Sequence, residues 1–101
     1  MVDPGASKLV LPESVVKRLG LSTGGTIQVT YADGRQAQRR HAKGVYVELL
    51  GRNDTFSAIV EPERKTALIG AIVLEDLDLL VDCSRQQLVP RDPSGPVYEI
   101  E

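Results

Sequence analysis

The chain has few of the residues that build disulfides and metal sites. Of its 101 residues, one is a cysteine, Cys83, and one is a histidine, His41. A single cysteine forms no intrachain disulfide, and without a cluster of cysteine and histidine there is no zinc-site spacing. We therefore expect no metal site, and we expect Cys83 to be a small packed residue, as free cysteines often are.

Aromatic residues, basic charge and long apolar runs are scarce too. There are four aromatic residues and no tryptophan, so valine, leucine and isoleucine must form the core. Twelve basic residues against fourteen acidic ones give a net charge of -2, whereas a nucleic-acid-binding domain usually has a basic excess. No apolar run reaches the roughly eighteen residues that a membrane helix needs, and no signal segment opens the chain. We expect a cytoplasmic protein with one domain, residues 1–101, and neither membrane nor nucleic acid as partner.

The patterning predicts a mostly β chain with two short helices. The first helix begins at Pro12, which is tolerated in a first turn, and ends at Leu19 before Gly20. The second is predicted over residues 71–80 from the spacing of apolar and acidic residues. Strands are predicted over residues 26–31, 36–42, 45–50, 55–60, 79–81, 87–89 and 97–101. Turns or breaks are predicted at residues 22–25, Asp33-Gly34, Gly44, residues 52–54 and residues 84–86.

Two short segments about sixty residues apart carry the functional signal. The first is an acidic residue followed by a glycine and a small residue, Asp3, Gly5 and Ala6. The second is an aliphatic pair followed by glycine, Leu68-Ile69-Gly70, with a predicted helix after it. In this order, with a hairpin between them, the segments resemble the retropepsin-like, clan AA aspartic proteases.

The resemblance implies a fold and a set of site residues. The fold would be a mostly antiparallel β, closed or half barrel with two short helices, acting as a homodimer on a peptide or protein substrate without a cofactor. Asp3 would be the catalytic residue, one of two carboxylates that share a proton. By the same resemblance, the active-site loop is Pro4, Gly5, Ala6 and Ser7; the flap that covers substrate is Ala32, Asp33, Gly34 and Arg35; and the loop that supports the aspartate is Leu68, Ile69 and Gly70.

Two features depart from the family pattern. Pro4 occupies the position of a threonine or serine whose hydroxyl, by resemblance, braces the loop of the partner subunit, and proline has neither a hydroxyl nor an N–H. The family also has one or two strands before the aspartate, whereas two residues precede Asp3 here. From these departures we expect a missing or truncated N-terminal strand and a dimer with low or no proteolytic activity.

Other interpretations remain open at this point. Residues 8–29 resemble the swapped-hairpin AbrB-like DNA-binding modules, with a strand, a proline, a short helix, a glycine-containing turn and a strand. A non-catalytic dimer that binds peptides in the cleft by strand addition is a third possibility. Asp33-Gly34 is equally typical of a plain hairpin turn. Two charged groups are expected to be solvated surfaces rather than sites: Glu75, Asp76 and Asp78 on a helix, and the basic run Arg39, Arg40, His41 and Lys43.

Overall fold

The computed structural model describes residues 1–3 and 5–100, so Pro4 and Glu101 lie outside the described residues. This part of the chain forms six strands and two short helices, in agreement with the predicted mostly β composition. None of the helices in the described ranges has the length and apolarity that crossing a membrane requires. In chain order the elements are β1 (Leu9–Pro12), α1 (Glu13–Leu19), β2 (Thr23–Thr30), β3 (Gln36–Leu49), β4 (Arg52–Glu61), α2 (Ala71–Asp76), β5 (Leu79–Asp82) and β6 (Gln87–Pro90).

The strands form a four-stranded sheet in the order β1-β4-β3-β2 and a separate hairpin, β5-β6. β1 runs parallel to β4, with Leu9 opposite Ala58, while the other pairings are antiparallel. A parallel pair needs a crossover connection, and α1 with the β2-β3 hairpin supplies it. The expected antiparallel barrel is therefore corrected to a mixed sheet, and the two sheets are not closed into a barrel.

The core lies where β1, β4 and the two helices meet. Leu9, Val60, Val73 and Leu77 are almost completely buried there, and Pro12 is also among the most buried side chains. Helix α1 contributes only Val16 as a buried residue. Leu19, the last residue of the helix, remains 60% exposed.

The predicted helix end at Gly20 and the predicted turn at Asp33-Gly34 are confirmed. Gly20 ends α1 in the left-handed conformation at φ 65°, and its N–H bonds the carbonyl of Lys17. The Asp33-Gly34 turn connects β2 to β3: the Gly34 N–H donates to the carbonyl of Tyr31, and Gly34 has φ 88°. Both positions require a backbone conformation that glycine adopts at little cost.

Other boundaries differ from the sequence prediction because strand pairing overrides local propensity. Residues 23–25 of the turn predicted at residues 22–25 lie within β2, and β3 continues through Gly44, which forms a bulge at φ 66° instead of a break. The turn expected at residues 52–54 lies earlier, at Leu50-Gly51, and β4 begins at Arg52. The final predicted strand is absent over residues 97–100. Cys83 is exposed in the β5-β6 turn, so its expected packing is wrong.

Candidate functional site

We call Asp3 and residues 5–7 the aspartate loop, and main-chain hydrogen bonds attach this loop to the segment around Ile69. The N–H of Asp3 donates to the carbonyl of Ile69 at 2.9 Å, and the N–H of Ile69 donates to the carbonyl of Met1 at 2.8 Å. On the other side of Ile69, Leu68 and Val10 exchange two hydrogen bonds of 2.8 and 2.9 Å. Leu68-Ile69 thus lies between residues 1–3 and Val10 and is hydrogen-bonded to both, as the predicted supporting loop requires. We call this arrangement the crossing.

The start of α2 extends the same crossing. The N–H groups of Ala71 and Ile72 donate to the carbonyls of Ala6 and Ser7 at 2.7 and 3.0 Å. These N–H groups lie in the first turn of the helix, where no intrahelical partner is available. The helix therefore binds the main chain of the aspartate loop and fixes its position.

Gly70 is required for this crossing because the backbones touch at that point. A Cβ built on Gly70 would lie 2.8 Å from the nitrogen of Lys8 and 2.9 Å from the carbonyl oxygen of Ala6, and closer still to the carbonyl oxygen of Lys8. Its φ of -93° is open to any residue, so space, not backbone conformation, selects glycine here.

The Asp3 side chain is half-buried and faces a cavity. Its Oδ1 accepts a hydrogen bond of 2.9 Å from the N–H of Gly5, which orients the carboxylate. The cavity has a volume of about 410 Å³ and extends from the aspartate loop, through Gly5, Ala6 and Ser7, to the base of the β2-β3 hairpin. A cavity of this size is within the range of ligand-binding sites, and Asp3 places a carboxylate on its wall.

The predicted flap lies over this cavity only at its base. Tyr31 and Ala32 line the cavity, whereas Asp33 and Gly34 do not. Arg35 lines a neighbouring cavity of about 280 Å³ and forms an ion pair of 2.7 Å with Asp33 within the turn. The tip of the hairpin therefore extends away from the Asp3 side chain in the single chain.

The contacts among three residues of the cavity region were not predicted from the sequence, which placed Arg39 only in a solvated basic run. Tyr31 donates a hydrogen bond of 2.6 Å from its hydroxyl to Glu61 Oε2, and Arg39 Nε lies 2.5 Å from Glu61 Oε1. The guanidinium groups of Arg35 and Arg39 also lie over the Tyr31 ring, 5.2 and 6.0 Å from its centroid. We call Tyr31, Arg39 and Glu61 the hairpin-base cluster. No sequence signal pairs these residues, because the contact depends on the register between β3 and β4.

The hairpin-base cluster stabilises the position of the hairpin, and Tyr31→Phe tests this. The hydrogen bond to Glu61, and then burial, raise the pKa of Tyr31 above its ordinary 10.0. The contact therefore stabilises the fold at pH values below about 10, and this contribution is lost as the pH rises through the folded-state pKa.

We expect Tyr31→Phe to lower the free energy of unfolding by about 1 kcal/mol at pH 7. We also expect it to remove part of the stability loss that the wild type shows above about pH 10. Urea unfolding at both pH values measures this. Tyr46→Phe is the matched control, because the exposed Tyr46 makes only a 3.5 Å contact with Glu48. Equal losses in the two variants would contradict a special role for Tyr31.

Some residues of the two charged groups that were expected to be solvated form ion pairs or are buried. In the basic run, Arg39 pairs with Glu61, and Arg40 pairs with Glu13 at 2.7 Å. Among the helix acids Glu75 is exposed, but Asp78 is buried. Hydrogen bonds from Arg91, before other causes, hold the pKa of Asp78 below its usual value. Within residues 1–3 and 5–100, no three potential metal ligands come together.

Comparison with known proteins places this architecture in a family. The family described as gag-polyprotein putative aspartyl protease matches residues 1–76. Among solved structures, the chain is similar to EIAV protease complexed with the inhibitor HBY-793. The TM-score is 0.58 and the identity 22%, over 76% of this chain and 73% of that one. At that identity the likeness shows the fold alone. No curated protein matches.

The family match includes the aspartate loop, the β2-β3 hairpin and the supporting loop. It also includes residues 8–29, on which the DNA-binding alternative rested, and in the structure β1 of that segment pairs with β4 of the same chain. The resemblance to retropepsin-like proteases is thereby confirmed, and the chain belongs to the gag-polyprotein putative aspartyl protease family.

Proposed function

We propose that the chain is one subunit of a two-fold symmetric aspartic peptidase in which Asp3 supplies one of the two catalytic carboxylates. The observation that carries this proposal is the crossing of the aspartate loop with Leu68-Ile69-Gly70, which holds Asp3 against the cavity of about 410 Å³. The loop is fixed by main-chain hydrogen bonds on both sides of Ile69. A catalytic carboxylate needs positioning of this kind to act on a bound peptide.

The second carboxylate has to come from a second copy of the chain. Glu61 is the other acid that lines the cavity, but its two oxygens are engaged by the Tyr31 hydroxyl and by Arg39. It is therefore poorly suited to share a proton with Asp3. Dimers with a two-fold axis bring the same residue of each subunit together, and this would pair Asp3 with its symmetry mate.

The reaction that this pair would catalyse is hydrolysis of a peptide bond by water. Two close carboxylates cannot both ionise cheaply, so the pair holds one proton. The ionised member accepts a proton from water as the water oxygen bonds to the carbonyl carbon, and the protonated member donates its proton to the carbonyl oxygen. The carboxylic acid formed in this step then donates its proton to the amine nitrogen as the C–N bond breaks, and the other carboxylate accepts a proton from a hydroxyl of the tetrahedral intermediate, so that the pair again holds one proton. No covalent bond to the protein forms.

Pro4 gives a second candidate function, a dimer that binds peptides in the cleft and does not cleave them. Proline lacks the hydroxyl that in this family, by resemblance, braces the partner's loop. The main-chain hydrogen bonds of Asp3, Ala6 and Ser7 to residues 69–72 do not depend on that hydroxyl. We therefore propose reduced catalysis as the more consistent outcome of Pro4, with peptide binding retained.

Replacing Asp3 tests the catalytic assignment. We expect Asp3→Asn to lower the rate of peptide hydrolysis by at least about 100-fold, because an amide cannot exchange a proton with water as a carboxylic acid does. Cleavage of a peptide mixture, followed by mass spectrometry, measures this. Glu75→Gln is the control, because Glu75 is exposed on α2.

The results of these experiments distinguish a peptidase from a dimer that only binds peptides. Unchanged cleavage in Asp3→Asn would overturn the role of Asp3. A wild-type chain that binds peptides without cleaving them would favour the non-catalytic candidate. Sedimentation of a folded monomer at all concentrations would overturn the two-subunit site.

A further inference from the structure

We infer that the cleft selects peptide segments that carry an acidic side chain beside the residues at the aspartate loop. This inference rests on the proposed function, since it assigns a ligand chemistry to the same cleft. Its basis is the distribution of charge around the cavity of about 410 Å³. Four charged side chains, two acidic and two basic, line it: Asp3, Glu61, Lys8 and Arg64.

The positive charges of the cavity are not neutralised within the described residues. Lys8 and Arg64 are not members of any ion pair in residues 1–3 and 5–100. Lys8 is exposed at the end of the aspartate loop, next to β1. Arg64 is half-buried, and its Nε donates 2.7 Å to the carbonyl of Thr66. This hydrogen bond positions the guanidinium at the edge of the cavity without compensating its charge.

Of the two acidic side chains that line the cavity, Glu61 is already paired, and Asp3 would be paired in the two-subunit site. Glu61 is paired with Arg39 at 2.5 Å and accepts the Tyr31 hydroxyl. Asp3 in the two-subunit site would share one proton with its symmetry mate. Glu63 lines the adjoining cavity of about 280 Å³, not the one that Asp3 faces. The free charge around Asp3 is therefore positive, and the two-fold axis would present Lys8 and Arg64 twice.

A peptide that fills the cavity beside Asp3 would lie near both cations, because Lys8 and Arg64 line the same cavity. A glutamate in that peptide would gain an ion pair, whereas a lysine would meet a like charge. Lys8 is exposed and Arg64 is half-buried, so each pair contributes modestly. We expect a preference of about fivefold for glutamate over glutamine, since partly exposed ion pairs contribute at this level.

The experiment compares two peptides that are identical except for glutamate or glutamine within a few residues of the cleaved bond. Cleavage efficiency is measured for the wild type, and binding is measured by fluorescence anisotropy on Asp3→Asn so that the result does not depend on turnover. Each is repeated with Lys8→Gln and Arg64→Gln. Lys65→Gln is the matched control, because Lys65 is exposed next to Arg64 but does not line the cavity.

The inference predicts the following results. The wild type prefers the glutamate peptide, Lys8→Gln and Arg64→Gln each reduce that preference by about twofold, and Lys65→Gln leaves it unchanged. The preference also weakens at high salt and disappears as the pH falls below about 4, where the glutamate of the peptide is protonated.

If the wild type cleaves the glutamate and glutamine peptides with equal efficiency, the inference is overturned while the peptidase proposal stays intact. A preference that Lys65→Gln reduces as much as Arg64→Gln does would also overturn it, because net charge rather than the cavity would then be responsible. If neither peptide is cleaved but the glutamate peptide binds more tightly, the inference holds and catalysis by this chain fails.

Discussion

Gly70→Ala is expected to lower the free energy of unfolding by about 3 kcal/mol, because overpacking against main chain has no low-cost relaxation. The added Cβ would lie within 2.9 Å of Ala6 and Lys8 main-chain atoms. These atoms belong to the crossing that holds Asp3, so they cannot yield as a flexible side chain can. A shift of about 1 Å in the aspartate loop would also lower the proposed peptide cleavage by roughly 100-fold.

Gly25→Ala is the matched control for Gly70→Ala. Gly25 lies in β2, has no heavy atom within 4 Å of a built Cβ and has no positive φ. Alanine there is expected to leave stability unchanged or raise it slightly, since it restricts the unfolded chain. Urea unfolding and cleavage rates of both variants measure the effect. Similar losses at the two positions would contradict the close approach at Gly70.

Arg52→Ala is expected to lower the free energy of unfolding by about 3 kcal/mol or more, because buried polar groups lose their partners. Arg52 is only 8% exposed. Its Nη1 donates to the carbonyls of Leu77 and Asp78 at 3.2 and 2.7 Å, and its Nη2 donates to the carbonyl of Asp92. One guanidinium thus connects the start of β4, the end of α2 and the segment after β6.

Graded substitutions separate hydrogen bonding from charge at this position. Arg52→Lys keeps the charge but cannot reach three carbonyls with one ammonium group, so we expect a loss of roughly half that of Arg52→Ala. Arg85→Ala is the control, because Arg85 is exposed and lies 3.9 Å from Asp82. We expect its effect to stay within about 0.5 kcal/mol. A loss at Arg52 no larger than at Arg85 would contradict the structural role of the guanidinium.

The parts of the fold that depend on local chemistry could be predicted from the sequence. Gly20 and Asp33-Gly34 mark turns whose backbone conformations select glycine, and the structure has turns at both places. The parallel pairing of β1 with β4 could not be predicted in this way. It joins Leu9 to Ala58, and no local pattern specifies a partner that far along the chain.

The candidate site likewise contains residues that could be predicted from the sequence and residues that could not. Asp3 and Leu68-Ile69-Gly70 were recognisable because their residue types are unusual in that order, and the structure brings them together. Arg52 and Glu61 gave no signal, because a charged residue in a strand is ordinarily solvated. Their roles arise from tertiary contacts, with the carbonyl of Asp92 for Arg52 and with Tyr31 for Glu61.

The crossing of the aspartate loop with Ile69 also has a consequence for the order of folding. Val2 is bridged to Ile69, and Ser7 accepts a hydrogen bond from Ile72. These contacts close a loop of more than sixty residues, and such long-range closures are slow compared with the formation of local hairpins. During synthesis, residues 1–3 and 5–7 leave the ribosome before residues 68–72, and they acquire these native hydrogen bonds only after that segment has emerged. The cleft therefore assembles late, after the β2-β3 hairpin has been able to form.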